Sequence, residues 1–217
     1  MQRLRVRFSR CEEIKYISHL DLMRLWERAL RRASVPIAYS EGFTPHPRIS
    51  LAAPLPIGVT SEGELMDVFL QRRLPLLSFI KAAGNRLPSG VDILEGHEVP
   101  PTMPSLQSQV RYTEYLVEVE TENGVEEIGS HLSSLLSLKE LPWQHKRDTG
   151  VRRYDLRALI DDLWLEEKLP SGCIFGMRLR VDNSGAGRPE QVALALGFPD
   201  RPRSIHRTRI ILAERRL

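Results

Sequence analysis

The sequence has 217 residues, of which 41% are hydrophobic and 27% are charged, and its formal net charge is +3. This length suits two domains of roughly 100 residues each, and the composition is ordinary for a globular protein that buries a core. No apolar run approaches the roughly 20 residues of a membrane-spanning helix. The start of the chain alternates charged and apolar side chains, unlike a signal peptide. We therefore expect a cytoplasmic protein that does not enter a membrane.

The basic residues are concentrated at the two ends of the chain. Residues 1–48 contain ten Lys and Arg against five Asp and Glu, and residues 201–217 contain six Arg against one Glu. If the two ends meet in space, they form a positive surface that could bind phosphate groups. The alternative is that these arginines are scattered over a solvated surface.

The two cysteines do not form a recognisable motif. Cys11 and Cys173 match neither a disulfide framework nor a CxxC pair, so we expect free thiols. A CxxxCxxC triplet is absent, so the chain lacks the usual ligands for the iron–sulfur cluster of a radical SAM enzyme. The HExxH pattern of zinc proteases is absent as well, and we predict no metal site.

The first hundred residues predict the order strand, helix, strand, strand, helix, strand. Residues 2–9 alternate, with Leu4, Val6 and Phe8 on one side, which predicts a strand with one buried face. The first helix has Ser18 as its N-cap and ends at Val35-Pro36. The other predicted elements are strands at 49–53 and 64–71, a helix at 75–87 and a strand at 91–99. This is the order of a split βαβ, ferredoxin-like domain.

A similar order follows a proline- and serine-containing connection at 100–110. We predict strands at 115–121, 173–181 and 205–213, helices at 125–138 and 188–196, and a hairpin at 143–156 around Asp148-Thr149-Gly150. The fold class is therefore α+β, with two tandem ferredoxin-like domains built on antiparallel sheets. We place these domains at 1–103 and 104–217.

The first candidate site is the polar face of the first helix. Arg24, Arg28 and Arg31 are spaced at i, i+4 and i+7, so their side chains share one face, and Arg32 lies beside them. Guanidinium groups bind phosphate bidentately, so such a row could bind the RNA backbone. The alternative is a solvated helix face on which Glu27 is a local partner.

His19 and Asp21 lie at the start of this helix. Their spacing points the two side chains to different sides, so they are poor co-ligands for a metal ion. Asp21 is better explained as a capping residue near the positive end of the helix dipole. His19 could remain a neutral base at that end, or it could be a partly buried histidine bonded to nearby backbone.

The second candidate site is the SEGFTPHPRIS segment at 40–50. Its two prolines restrain the backbone on either side of His46, and Gly42 permits close approach of another molecule. The segment could be a binding or catalytic loop, with His46 as a candidate acid or base, or a structural crossover whose prolines only set its path. Its candidate residues are Ser40, Glu41, Phe43, His46 and Arg48.

These same residues carry a resemblance to a known family. The runs YISHLD at 16–21, RALRRA at 28–33 and PIAYSEGFTPHPRIS at 36–50 resemble the signature of a bacterial radical-SAM-linked family of unknown function, domain of unknown function family 2344. The PLPIGV loop at 54–59 fits the same pattern. The likeness covers nearly the whole chain and is densest at 16–64.

The resemblance implies a partner more than a reaction. Members are similar to domains found beside, or fused behind, a B12-binding radical SAM protein, and they lack the cluster ligands themselves. On this resemblance the chain binds no cofactor, and its partner carries the iron–sulfur cluster, S-adenosylmethionine and cobalamin. The family's setting near RNA-processing and ribosomal genes implies RNA or a ribosome-related substrate. The architecture is also distantly similar to CRISPR repeat-processing endoribonucleases.

Three functions follow from these observations. We favour an accessory module that does not catalyse a reaction on its own and binds RNA or a ribonucleoprotein through Arg24, Arg28, Arg31 and Arg48. The second is a metal-independent ribonuclease with His19 or His46 as general acid or base. The third is a protein-binding scaffold whose Phe43 loop docks a partner.

Overall fold

In this computed structural model, the residues described are 1–147, 150–182, 185–198 and 201–213. The chain divides into two compact units, Met1–Val110 and Arg111–Leu217. The first unit extends beyond residue 103, where the sequence placed the boundary. It does so because the segment at 103–109 binds arginines of the first strand through two carbonyl groups and the Gln109 side chain. Both units mix helices with antiparallel strands.

The first unit has the predicted order of elements. It contains β1 (Gln2–Arg10), α1 (His19–Arg32), β2 (Ile49–Leu51), β3 (Thr60–Leu70), α2 (Leu76–Gly84), β4 (Ile93–Val99) and α3 (Leu106–Gln109). The strands are paired in the order β2-β3-β1-β4, and each of these pairs is antiparallel. The short helix α3 lies where the sequence predicts an irregular connection.

One face of this sheet packs against α1 and α2. Leu4, Val6 and Phe8 of β1 are completely buried in a single cluster with Trp26 of α1 and Phe79 of α2. The rings of Phe8 and Trp26 meet edge to face, with their centroids 5.0 Å apart. Because this stripe of α1 faces the sheet, its polar stripe faces solvent.

The opposite face of β1 differs from the prediction, because it is buried as well. Arg3 and Arg5 are only 2% and 4% exposed. Both guanidinium groups bind the carboxylate of Asp67, at distances of 2.5 to 3.0 Å. Arg3 also donates to the carbonyl groups of Met103 at 2.6 Å and Pro104 at 2.9 Å. Charge pairing and hydrogen bonding make it possible to bury these arginines.

Helix α1 ends slightly before the predicted Val35-Pro36. The backbone of Ser34 has a φ of +53° and leaves the right-handed helical region. The Val35 N–H then bonds the Leu30 carbonyl at 3.1 Å, which closes the last turn. The chain therefore turns two residues before Pro36.

The second unit repeats the alternation of strands and helices with an added hairpin. It contains β5 (Val110–Glu120), α4 (Val125–Ser137), β6 (Pro142–Arg147), β7 (Gly150–Asp155), β8 (Ile160–Leu169), β9 (Gly172–Asp182), β10 (Gly185–Ala186), α5 (Pro189–Ala195) and β11 (Ser204–Leu212). The main strands are ordered β8-β9-β5-β11, and β6 and β7 form a separate two-stranded sheet. Within the described residues, no helix is long and apolar enough to cross a membrane.

Strand β8 is absent from the sequence prediction. Its sequence, IDDLWLEEKL, interrupts apolar positions with pairs of acidic residues, so it lacks the alternation that predicts a strand. In the structure it pairs with β9, and Trp164 lies opposite Gly176. Asp148 and Thr149 of the predicted hairpin turn lie outside the described residues.

Candidate nucleic-acid interface

The start of α1 is fixed by hydrogen bonds between Ser18, which precedes the helix, and Asp21 in its first turn. The Ser18 hydroxyl accepts a hydrogen bond from the Asp21 N–H at 3.1 Å and donates to the Asp21 carboxylate at 2.7 Å. Ser18 is therefore the N-cap that the sequence predicts. The Ser18 hydrogen bond, followed by the neighbouring Arg24, lowers the pKa of Asp21 below its usual value of 3.8.

Arg10 supports the segment before α1 from inside the protein. Its side chain is completely buried. It donates to the carbonyl groups of Lys15 and Ile17, each at 2.7 Å, and makes longer contacts of 3.4 Å with those of Ile14 and Leu55. A guanidinium group has several donors in a fixed plane, so it can join separate backbone segments. The backbone that leads into α1 is therefore fixed in position.

Helix α1 presents its arginines to solvent. Arg24 pairs with Asp21 at 3.3 Å, and Arg31 pairs with Glu27 at 2.5 Å. Exposed ion pairs of this kind are weak, so phosphate can exchange for the acid. Among the described residues, the Arg28 guanidinium makes no ion pair. The exposed face consists of Arg24, Arg28, Arg31 and Arg32, and we call it the α1 arginine face.

His19 is the first residue of α1 and is half-buried. Its imidazole ring has no hydrogen-bond partner among the residues that the structure describes. Within the same residues, no hydrogen bond links it to His46, so the two candidate acid–base groups are not joined.

The loop at 40–47 is closed by its own hydrogen bonds. The Ser40 N–H donates to the His46 carbonyl at 2.9 Å, and the His46 N–H donates to the Ser40 hydroxyl at 3.0 Å. Gly42 near the tip has a φ of +122°, which favours glycine. Glu41 is exposed, and the Phe43 side chain is fully exposed. The loop is thus a closed protrusion that carries Phe43 at its tip.

Arg48 contacts the sheet rather than the loop tip. Its guanidinium group lies 4.3 Å from the centroid of the Phe69 ring, and its Nη1 atom lies 3.1 Å from the Met1 sulfur. Met66 and Val68 of β3 belong to the core beneath α1, so the alternating side chain of Phe69 lies on the other face. Arg48 is therefore on the face of the sheet opposite α1.

Apart from His19, the candidate residues fall into three groups in the structure. The four arginines of α1 share one helix face. Ser40, Glu41, Phe43 and His46 lie together in the closed loop. Arg48 lies on Phe69, across the sheet from the α1 arginine face. In the described part of the chain, no hydrogen bond or ion pair connects the loop to the α1 arginine face.

Sequence reasoning missed a cavity in the second unit. It has a volume of about 260 Å³, and its wall includes His145, Arg152, Tyr154, Arg188 and Gln191. His145 does not belong to any motif identified in the sequence. A signal was available in the hairpin, because the register pairs His145 with Arg152.

The remaining titratable residues show no metal-binding arrangement in the described ranges. No group of three or more His, Cys, Asp or Glu side chains there could hold a metal ion. Cys11 and Cys173 are free thiols, and burial raises the pKa of the Cys173 thiol.

These features define a protein of two α/β units, each with antiparallel strands, and an exposed arginine face. The chain belongs to the bacterial family described as "Uncharacterized protein conserved in bacteria (DUF2344)", whose model matches residues 3–189. This match confirms the family of unknown function that the motifs at 16–64 indicate. No curated protein matches the chain.

Two solved structures contain a chain with a similar fold. A chain in the crystal structure of a Cbf5-Nop10-Gar1 complex matches with a TM-score of 0.53 and 10% identity over 95% of this chain. A chain in the structure of an H/ACA RNP bound to a substrate RNA containing 2'-deoxyuridine matches with a TM-score of 0.51 and 11% identity, again over 95% of this chain. This chain spans about half of each, 48% and 47%. At this identity the likeness concerns the fold alone.

Proposed function

We propose that this protein is an accessory module that binds RNA or a ribonucleoprotein and acts with a B12-binding radical SAM enzyme in RNA or protein modification. The observation that carries the RNA-binding part is the α1 arginine face, where four guanidinium groups lie on one exposed side of a helix whose start is braced. The similarity of the fold to a chain in an H/ACA RNP bound to a substrate RNA supports RNA binding as well.

The α1 arginine face suits a phosphate backbone better than a base edge. Arginine binds phosphate with two parallel N–H···O bonds, and a row of such groups neutralises successive phosphates without reading the sequence. In the structure, Asp21 and Glu27 form ion pairs with two of these arginines. Since these pairs are exposed and weak, incoming phosphates can replace them, and binding should fall steeply with salt.

The proposal of a radical SAM partner rests on the family resemblance of the motifs at 16–64. On this proposal the partner holds the iron–sulfur cluster, S-adenosylmethionine and cobalamin, since this chain has two cysteines and no CxxxCxxC triplet. The module would work in the cytoplasm beside that enzyme, without catalysing a reaction on its own.

We also propose that each unit is a ferredoxin-like domain. In the first unit the order of elements is βαββαβ and the strand order is β4-β1-β3-β2. In the second unit the corresponding order is β11-β5-β9-β8, with the β6–β7 hairpin inserted after α4. The two orders are equivalent, which supports a split βαβ arrangement in both.

A salt-titrated RNA binding assay tests the α1 arginine face. Fluorescence anisotropy with a labelled single-stranded RNA would compare the wild type with the triple variant R24Q/R28Q/R31Q. In a plot of the logarithm of affinity against the logarithm of salt concentration, the slope for the triple variant should be less steep by about 2. This corresponds to roughly 0.7 for each of the three lost phosphate contacts. The matched control is R72Q/R73Q/R86Q, which removes the same charge from exposed arginines of the first unit. Absence of binding at low salt, or an equal loss in the control, would overturn the proposal.

A second candidate function is docking of a protein partner through the loop at 40–47. The observation that favours it is the fully exposed Phe43 on a loop closed by Ser40 and His46. Because the backbone of this loop is already restrained, the aromatic side chain can enter a partner's pocket with little loss of conformational entropy. Co-purification of the radical SAM partner should be lost in Phe43→Ala and kept in Leu77→Ala. Leu77 is the matched control, since it is 80% exposed on α2. Equal recovery with both variants would eliminate the loop as the docking element.

The ribonuclease alternative requires His19 or His46 to act on a bound RNA. The α1 arginine face could place a strand near His19, which lies on the same helix. Cleavage of RNA in the presence of a chelator, abolished by His19→Ala or His46→Ala, would support this reaction. Cleavage that persists in the double alanine variant would rule it out.

A further inference from the structure

The cavity of the second unit is lined by four elements. One wall is the β6–β7 hairpin, and the others are the 3-10 turn Arg157–Leu159, β10 and the start of α5. Its volume of about 260 Å³ is just below the usual size of a small-molecule site, which is roughly 300 to 1,000 Å³. The cavity therefore suits a small chemical group more than a whole cofactor.

The hairpin wall combines basic and aromatic side chains. In the antiparallel register His145 lies opposite Arg152, and Trp143 lies opposite Tyr154. Directly opposed residues project from the same face of the ribbon, so all four side chains share one side. The Arg152 guanidinium lies 5.6 Å from the centroid of the Tyr154 ring. A planar cation is thus held against an aromatic ring at the edge of the cavity.

The opposite wall supplies a second guanidinium group. Arg188 Nη1 lies 3.3 Å from His145 Nε2. Because arginine can only donate, Nε2 of His145 must accept, and we assign the imidazole proton to Nδ1. Nearby, the Tyr154 hydroxyl donates to Oε1 of Gln191, which is 9% exposed. This bond fixes the position of the Gln191 side chain, whose remaining amide group can only donate.

The charge and donor content of the walls favours an anion. Among the described residues of the wall, Arg152 and Arg188 are the arginines and Asp155 is the one acid. One oxygen of Asp155 already accepts from the backbone N–H groups of Leu141 at 2.8 Å and Arg157 at 3.0 Å. That carboxylate therefore fixes the start of the 3-10 turn, while the guanidinium and amide groups provide donors. A tetrahedral anion with several acceptor oxygens matches such a set.

A second hollow lies along the same hairpin. It is about 640 Å³ and shares Tyr154 and Asp155 with the cavity, and its wall also contains Trp143 and Arg153. Aromatic side chains provide stacking surfaces for nucleobases. The two adjoining spaces thus offer donors for a phosphate and an aromatic surface beside it.

We propose that the cavity is a nucleotide-phosphate site. The phosphate would lie between Arg188 and Arg152, and the attached nucleoside would lie against Trp143 in the adjoining hollow. The ligand class is a phosphomonoester carried by a nucleoside, free or at the end of an RNA strand. No residue of the α1 arginine face takes part, so this site does not depend on the proposed function.

Isothermal titration calorimetry on the full chain tests the site with uridine monophosphate, uridine and inorganic phosphate. We expect saturable binding of the monophosphate, at least about tenfold weaker binding of inorganic phosphate and no measurable binding of uridine. R188Q should weaken monophosphate binding by about tenfold or more, whereas R28Q on α1 should leave it unchanged. Trp143→Leu should weaken the binding of the monophosphate but leave the binding of inorganic phosphate unchanged. Thermal unfolding of each variant would confirm that it is folded.

The proposal is overturned if the monophosphate does not bind at millimolar concentration, or if R188Q binds it as the wild type does. Equal affinity for inorganic phosphate and the monophosphate would overturn the nucleoside part. Titration of a short RNA with a 5′-phosphate against the same RNA with a 5′-hydroxyl distinguishes the two sources. A preference for the phosphorylated end that is lost in R188Q would assign the site to RNA termini, and a preference retained in R188Q would contradict it.

Discussion

The Arg48 guanidinium group lies over the ring of Phe69, 4.3 Å from its centroid, and Arg3 lies 5.1 Å from the same centroid. One half-buried aromatic side chain thus contacts two cations from different parts of the chain. Arg48 belongs to the PIAYSEGFTPHPRIS run at 36–50, and in the structure its contact with Phe69 joins the loop at 40–47 to β3. This relationship leads to a prediction about stability.

A double-mutant cycle between Arg48 and Phe69 should give a favourable coupling of about 0.5 to 1 kcal/mol. The variants are Arg48→Ala, Phe69→Leu and the double substitution, with free energies of unfolding measured in urea. The cycle cancels the apolar burial that Phe69→Leu loses by itself. A coupling near zero would mean that the contact is incidental, and Arg48 would again be a candidate for ligand binding.

Asp67→Asn should destabilise the protein by about 3 to 5 kcal/mol, because it leaves two buried guanidinium groups without their charged partner. Arg3 and Arg5 both bind this carboxylate, whose side chain is completely buried. The matched control is Glu95→Gln, which breaks the exposed pair with Arg7 and should cost less than about 1 kcal/mol. Urea unfolding measures both, and similar small losses would contradict a stabilising role for the buried network.

Stability should depend on the ionisation of Asp21. Its pKa is lowered in the folded protein, first by the Ser18 hydrogen bond and then by Arg24. A lowered pKa means that the carboxylate stabilises the fold fully above the unfolded-state value near 3.8 and less as the pH falls through the folded-state value. The difference in unfolding free energy between wild type and Asp21→Asn should therefore be larger at pH 7 than at pH 3.

The control for this pH dependence is Glu41→Gln. Glu41 is exposed, and its carboxylate has no hydrogen-bond partner among the described residues. This variant removes one carboxylate without removing a hydrogen bond of the described residues, so its comparison with Asp21→Asn isolates the contribution of the Ser18–Asp21 contact. A difference for Asp21→Asn that does not change with pH would show that the capping interaction does not involve its charge.

Two glycine-to-alanine substitutions should act in opposite directions. A Cβ atom at Gly176 would lie 2.0 Å from the Trp164 ring, so Gly176→Ala should displace the indole and cost about 1 to 3 kcal/mol. At Gly129, inside α4, a Cβ atom meets nothing within 4 Å, and Gly129→Ala should stabilise by up to about 1 kcal/mol. Thermal unfolding measures the direction of both stability changes. Destabilisation by Gly129→Ala would contradict the prediction for α4.

Local signals in the sequence were sufficient for most elements of the first unit. Ser18 and Asp21 are three residues apart and form the cap that their types predict. The alternation of Leu4, Val6 and Phe8 likewise predicts β1 and its core face. Each of these features depends on neighbouring residues and on general preferences of the backbone.

Features that depend on distant residues could not be predicted in this way. The burial of Arg3 requires Asp67 and the carbonyl groups of Met103 and Pro104, which are far away in sequence. The separation of Arg48 from the α1 arginines follows from which face of β3 carries Phe69. Likewise, the cavity beside His145 requires α5 to return to the hairpin.

The position of β1 has a consequence for the synthesis of the chain. β1 is made before both of its neighbours in the sheet, β3 and β4, and β4 ends only at Val99. Arg3 and Arg5 also remain without their carboxylate until Asp67 has emerged. On the ribosome, the first unit therefore cannot complete its sheet until most of its own length is available, and its earliest segment waits the longest for a partner.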